Sequence, residues 1–154
     1  MDFETLIEPA AIMPVLKATS KRQVLQEMSA KAAELIGRSE REILETILNR
    51  EKLGSTGVGH GIAIPHGKLV DLPRITGVFA RLQKPVDFDA LDEEPVDLVF
   101  LLLAPEHSGA DHLKALSRVA RLLRDPETVS TIRGVQDAGA IFAAMAHSTT
   151  QNAA

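Results

Sequence analysis

Three side chains in this 154-residue chain have types and neighbours suited to acid–base or anion chemistry: His66, His112 and Arg50. His66 lies in the run Gly54-Ser-Thr-Gly-Val-Gly-His-Gly-Ile-Ala-Ile-Pro-His66-Gly-Lys-Leu69, directly after a short apolar stretch that is cut at Pro65. With an ordinary pKa of about 6.5, an imidazole is largely neutral near pH 7 and can act as a nucleophile without a separate strong base. Pro65 cannot donate to a sheet ladder and Gly67 frees the chain to turn, which places His66 at the carboxyl end of a strand, where open α/β sheets hold ligands. His112 precedes Leu116 and Val119 by four and seven residues, in line with the buried row of a helix and at its N-terminal end. Unpaired N–H groups there suit an anion such as a phosphoryl group and disfavour an imidazolium. Arg50 follows Ile43 by seven and Ile47 by three, beside the apolar stripe of its own helix and close to the Gly54–His66 segment. Each group also has a structural alternative: a packed core histidine for His66 and for His112, and for Arg50, as for Lys52, a cation that stabilises a helix C-terminus.

Other chemistries fit this stretch less well. Gly54 to Gly61 does not form G-x-G-x-x-G, and Gly61 to Lys68 is one residue too long for a Walker loop and lacks its Ser or Thr, so no nucleotide or other cofactor is expected. His60-x5-His66 and the Glu106-His107 and Asp111-His112 pairs offer imidazole and carboxylate, but their spacing matches no strong zinc pattern, and no metal is expected. A metal-dependent hydrolase built on His66, His112 and Asp111 is one alternative. A non-catalytic adaptor docking through the apolar loop around Val58 and Ile62 is another.

Helices and strands must bring these groups together. Ser20-x-x-Gln23 and Ser39-x-x-Glu42 read as capping boxes that open two helices, the first keeping Val24, Met28, Ala32 and Leu35 in step and the second Ile43, Leu44, Ile47 and Leu48. Strands are predicted at Ile12–Leu16, Gly61–Ile64, Ile75–Leu82 and Val96–Leu103, the last so continuously apolar that both its faces must be covered. An acidic connector covers Asp87 to Pro95. A third helix follows Pro105, opened by Ser108 or a neighbour, with Leu113, Leu116, Ala120 and Leu123 inward. Asp125-Pro126 stops it and starts a fourth, and a last helix runs from Asp137 to Met145. The sum is an α/β single-domain three-layer sandwich, a mixed, mostly parallel sheet with helices on both faces. The domain spans 1–146, with a disordered tail over 147–154.

Composition narrows the function further. A net charge of −4 and only five aromatic residues, all Phe, argue against nucleic acid as a partner. The absence of cysteine fits a reducing compartment, and neither an apolar leader nor a membrane-length apolar run is present, so no membrane insertion and a cytoplasmic location are expected.

The glycine-rich run through Pro65-His66-Gly-Lys-Leu69, together with Arg50-Glu-Lys-Leu upstream, Pro85-Val-Asp-Phe and Pro95-Val-Asp-Leu-Val-Phe-Leu-Leu-Leu in the middle and His112-Leu downstream, resembles the phosphotransferase-system enzyme IIA proteins of the fructose/mannitol class (EIIA type 2), and within them the nitrogen-regulatory branch. The resemblance covers most of the chain. It implies that His66 is the phosphorylated histidine, carrying the group on Nε2 while Nδ1 is fixed by a backbone acceptor, that His112 is the second active-site histidine and that Arg50 lies beside the phosphoryl group. His60 stands at a variable position where asparagine is often found, and is expected in an exposed loop. The implied donor is an HPr-like phosphocarrier (NPr), with no ATP or metal bound by this chain. Gly54, Ser55, Thr56, Gly57, Val58, Gly59 and Ile62 are read as the surface that the donor approaches. The Gly-Lys-Leu continuation and the lack of a fused IIB or IIC segment favour regulation of target proteins, potassium transporters or sensor kinases among those the resemblance suggests. Relay of the phosphate to a sugar-permease IIB component is the alternative.

Overall fold

The computed structural model describes residues 3–152. Its first two helices start where the serines predict. Ser20 accepts the Gln23 N–H (3.1 Å) ahead of α1, Lys21–Ile36, and Ser39 accepts the Glu42 N–H (3.3 Å) ahead of α2, Glu40–Glu51. The return half of each box is altered, since the Gln23 side chain takes the N–H of Thr19 and Glu42 pairs with Arg38. Ile43 and Ile47 of α2 are fully buried, worth about 1.5–3 kcal/mol each on transfer out of water.

Six strands make one mixed sheet: β1 (Ile12–Leu16), β2 (Gly57–Gly59), β3 (Ile62–Ala63), β4 (His66–Leu69), β5 (Thr76–Val86) and β6 (Val96–Pro105). Their order is β1-β5-β6-β3-β2, with β4 also on β6. The β1–β5, β3–β6 and β4–β6 pairings are parallel, whereas β5–β6 and β2–β3 are antiparallel. Every residue of β6 from Leu98 to Ala104 is at most 1% exposed, which requires cover on both faces. One face is covered by α1 and α2, which pack on each other; the other by α3 (Ala110–Leu122), α4 (Pro126–Arg133) and α5 (Ala138–Asn152). Two successive residues of β4 display this division, for the His66 ring meets His112 of α3 while Gly67 faces Thr46 and Ile47 of α2. Among the described residues, no helix is long and apolar enough to cross a membrane.

Four details depart from expectation. The strand predicted over Gly61–Ile64 does not end for good at Pro65: β3 and β4 lie in turn along β6, with Ile62 and Ala63 opposite Leu98 and Val99 and His66 to Leu69 opposite Leu102 to Pro105. Proline lacks only the donor, and its carbonyl still accepts the Leu102 N–H at 2.9 Å, so pairing resumes beyond it. His66 therefore begins a strand, and Gly67 sits in the ladder instead of turning the chain. In α3 the inward row is His112, Ala115, Val119 and Leu122, while Leu113 is 69% exposed. The row through His112 wins over the all-apolar row one residue along, whose Leu116 and Ala120 are only half-buried flanks. Finally, residues 147–152, expected in a tail, continue α5. Ile141, Met145 and Ser148 form one buried row, and the Ser148 hydroxyl is satisfied by Asp125 at 3.4 Å, so a polar residue hides the periodicity. Ala153 and Ala154 fall outside the described residues.

A Cβ on Gly67 would lie 2.7 Å from Thr46 Cγ2, and Thr46 is itself held by a 2.8 Å bond from its hydroxyl to the Glu42 carbonyl. Gly67→Ala is expected to lower stability by about 1–3 kcal/mol in urea unfolding, the usual cost of overpacking; an unchanged midpoint would show that α2 can back away freely.

Candidate active site

Strand alternation sends the carbonyls of Gly61 and Pro65 toward β6, where they accept the N–H groups of Leu98 (3.1 Å) and Leu102 (2.9 Å). Ile64 faces the other way. Its N–H donates to the Thr56 carbonyl at 2.9 Å, and its own carbonyl, beyond the short strand β2, accepts the Nδ1–H of His66 at 2.9 Å. A carbonyl can only accept, so the proton sits on Nδ1 and the lone pair on Nε2. The backbone acceptor expected at Nδ1 is Ile64.

The His66 and His112 rings meet edge to face, their centroids 5.6 Å apart and their planes at 72°. His112, the third residue of α3, is 7% exposed, and its Nε2 is buried with no hydrogen-bond partner among the described residues. Such an atom costs about 1–3 kcal/mol until something pairs with it. Among the described residues no side chain caps the first turn of α3, which starts from Gly109 at φ 50°, and the hydroxyl of Ser108, a candidate for that task, is buried without a partner. Burial holds the His66 pKa below the ordinary 6.5, with the Arg50 cation adding to the effect and the Ile64 carbonyl and Glu51 carboxylate opposing it. Burial does the same to His112, helped by His66 and Lys68. Both shifts favour the neutral imidazole.

The last turn of α2 brings Arg50 to this place and grips the loop that follows. Arg50 Nη1 donates to the Gly54 carbonyl at 2.9 Å. The adjacent Glu51 carboxylate, 5% exposed, accepts the Thr56 N–H at 3.3 Å and the Thr56 hydroxyl, and pairs with Lys21 Nζ at 2.8 Å. Beyond the loop, β2 and β3 form a hairpin whose turn residues His60 and Gly61 both have positive φ, 58° and 81°. Asp92 accepts the His60 N–H (3.0 Å), and Arg133, paired with Asp97, donates to the His60 carbonyl (2.9 Å).

His66, His112 and Arg50 thus converge, whereas His60 remains on an exposed turn as expected. Among the described residues, no three His, Asp or Glu side chains gather closely enough to hold a metal ion. The expected approach surface needs correction. Of its seven residues, Gly54 and Val58 are exposed and Ser55 is half-buried, while Thr56, Gly57, Gly59 and Ile62 are buried. Gly57 is small for an internal reason, because a Cβ there would come within 2.8 Å of Ala90 Cβ. Glu51, its partner Lys21 and the nearby Lys68 were not singled out from sequence. Glu51 left a readable sign, a carboxylate in the last turn of a helix, where the dipole disfavours an anion and a compensating partner is called for. The assembled site offers a neutral nucleophilic nitrogen, a second imidazole with an unpaired nitrogen and nearby cations, a set suited to receiving a phosphoryl group.

The sequence pattern described as "Phosphoenolpyruvate-dependent sugar phosphotransferase system, EIIA 2" matches residues 5–148. A nitrogen regulatory protein from Bradyrhizobium diazoefficiens is 58% identical over 146 residues, 95% of either chain. The crystal structure of nitrogen regulatory protein IIA-Ntr from Neisseria meningitidis aligns with a TM-score of 0.87 and 33% identity, over 92% of this chain and 97% of that one. IIA mannitol from Escherichia coli shares the fold, with a TM-score of 0.75 at 21% identity over 90% of this chain and 97% of its own.

Because both imidazoles are harder to protonate in the folded chain than in the unfolded one, their contribution to stability is complete above pH 6.5 and is lost as the pH falls below it. Nitrogen-15 NMR titration should place both transitions below 6.5, and Arg50→Met should move that of His66 upward. A downward move on removing this cation would contradict the electrostatics described.

Proposed function

This chain belongs to the EIIA type-2 family of the phosphoenolpyruvate-dependent sugar phosphotransferase system, and on that footing we propose that it is a phosphocarrier of the nitrogen-regulatory branch, taking a phosphoryl group on His66 and acting on target proteins according to its phosphorylation state. The observation that carries the assignment of the acceptor is the bond from His66 Nδ1 to the Ile64 carbonyl, which leaves Nε2 as the nucleophile.

In the proposed transfer, a phosphohistidine donor protonated on its other ring nitrogen approaches His66. The lone pair of Nε2 forms the new N–P bond as the donor's N–P bond breaks, and the donor departs as a neutral imidazole. His66 becomes a phosphoimidazolium whose Nδ1–H stays on Ile64. One N–P bond replaces another and no base is consumed, so the protein's task is alignment and charge stabilisation. Arg50 offsets the charge spread over the phosphoryl oxygens, and the unpaired Nε2 of His112 gains a partner when it carries its proton there. The donor is an HPr-like carrier (NPr) in the cytoplasm. Targets respond because the added negative charge alters attraction and desolvation at a docking surface, and potassium transporters and sensor kinases are the classes proposed.

His66→Ala should abolish acid-labile labelling by a phosphorylated NPr-type carrier, and full labelling of that variant would move the acceptor elsewhere. Arg50→Ala should slow transfer by about 10²-fold or more with the fold retained by circular dichroism. A rate unchanged from wild type would leave Arg50 as the anchor of Gly54 alone. Transfer of the label from His66 to a sugar-permease IIB domain would reassign the chain to sugar relay.

A further inference from the structure

A continuous line of polar contacts runs from the start of α1 to the imidazole of His66. Lys21 Nζ pairs with Glu51 at 2.8 Å; Glu51 accepts the N–H and the hydroxyl of Thr56; the Thr56 carbonyl accepts the Ile64 N–H at 2.9 Å; and the Ile64 carbonyl accepts the Nδ1–H of His66 at 2.9 Å. Each link uses a group with little choice of partner. The Glu51 side chain is 5% exposed, so its negative charge is costly without Lys21 and Thr56. Thr56 is 4% exposed. β2 begins only at Gly57, so Thr56 meets Ile64 just past the last paired residues of the β2–β3 ladder, where Glu51 holds it.

We propose that Glu51 is a positioning residue for His66: by holding Thr56 against Ile64, it fixes the carbonyl that keeps the proton on Nδ1 and Nε2 free to accept the phosphoryl group. Glu51 touches neither donor nor phosphoryl group in this account. It acts through two intervening residues, and the 2.8 Å ion pair with Lys21 holds its carboxylate in place. Loss of the carboxylate releases Thr56, lets the Ile64 carbonyl swing out of line and allows the imidazole to move its proton to Nε2, where it blocks attack.

This inference rests on the phosphocarrier reading for its consequence but not for its first observable, which is the ring proton in the unphosphorylated chain. Nitrogen-15 spectra of the imidazoles at pH 8 should show wild-type His66 in the Nδ1–H tautomer, and Glu51→Ala should give a substantial Nε2–H population. Transfer from a phosphorylated NPr-type carrier should fall on the order of tenfold, below the hundredfold that a full ångström of misplacement can cost. Glu51→Gln, which keeps an acceptor of the same shape, should recover part of both. Thr56→Val should behave like Glu51→Ala, and Thr56→Ser should restore the wild-type tautomer. If Glu51→Ala does not fold, the Thr56 pair decides alone. A folded Glu51→Ala or Thr56→Val chain with the wild-type tautomer and a transfer rate within twofold of wild type overturns the proposal. A wild-type chain that takes no label overturns the phosphocarrier reading instead, and the tautomer shift in the variants then still reports the positioning.

Discussion

The carbonyl of Ile64 is the group on which the site depends. A backbone acceptor removed from water must find a donor, and strand alternation points this one away from β6 at a place where β2 has already ended. The imidazole two residues later supplies the missing N–H. One bond thus satisfies the backbone, selects the tautomer and fixes the ring about a short tether. Had β2 begun one residue earlier, with the Thr56 N–H turned to Ile64 instead of Glu51, the carbonyl would have had a strand donor in place of the imidazole.

Around that anchor, the two helical layers contribute different things. On one face, α2 comes close because Gly67 has no side chain, and its last turn brings Arg50 and Glu51, opposite charges that grip successive parts of the same loop. On the other, α3 brings His112 with one nitrogen unpaired. Burial lowers both histidine pKa values, and in the proposed transfer a neutral His66 keeps the lone pair that attacks while a neutral His112 adds no repulsion between the rings.

Much of this could be read from the chain. Capping serines, the buried apolar run of β6 and the helical spacing of Arg50 and His112 are local signals, and the structure places those elements within a few residues of expectation. What could not be read depends on partners distant in sequence. Pro65 looks like a terminus until β6 is present to pair beyond it, and Ser148 looks like tail until Asp125 lies beside it. Gly57 and Gly59 look like an open approach until the 87–95 connector packs on them. In α3 two rows compete, one through Leu113 and one through His112, and although leucine is the more apolar the fold buries the histidine.

The interruption at Pro65 also bears on how this sheet behaves toward other chains. An edge strand with a long row of free N–H and C=O groups is a template for strand addition and for aggregation. Here the outer edge beside β6 is divided into Ile62–Ala63 and His66–Leu69, the first covered by β2 and the second starting after a residue with no N–H and carrying an exposed lysine at Lys68. Of the two residues between them, Pro65 has no N–H to offer and Ile64 spends both backbone groups within the chain. This edge is thereby a poor template for the addition of an extended strand.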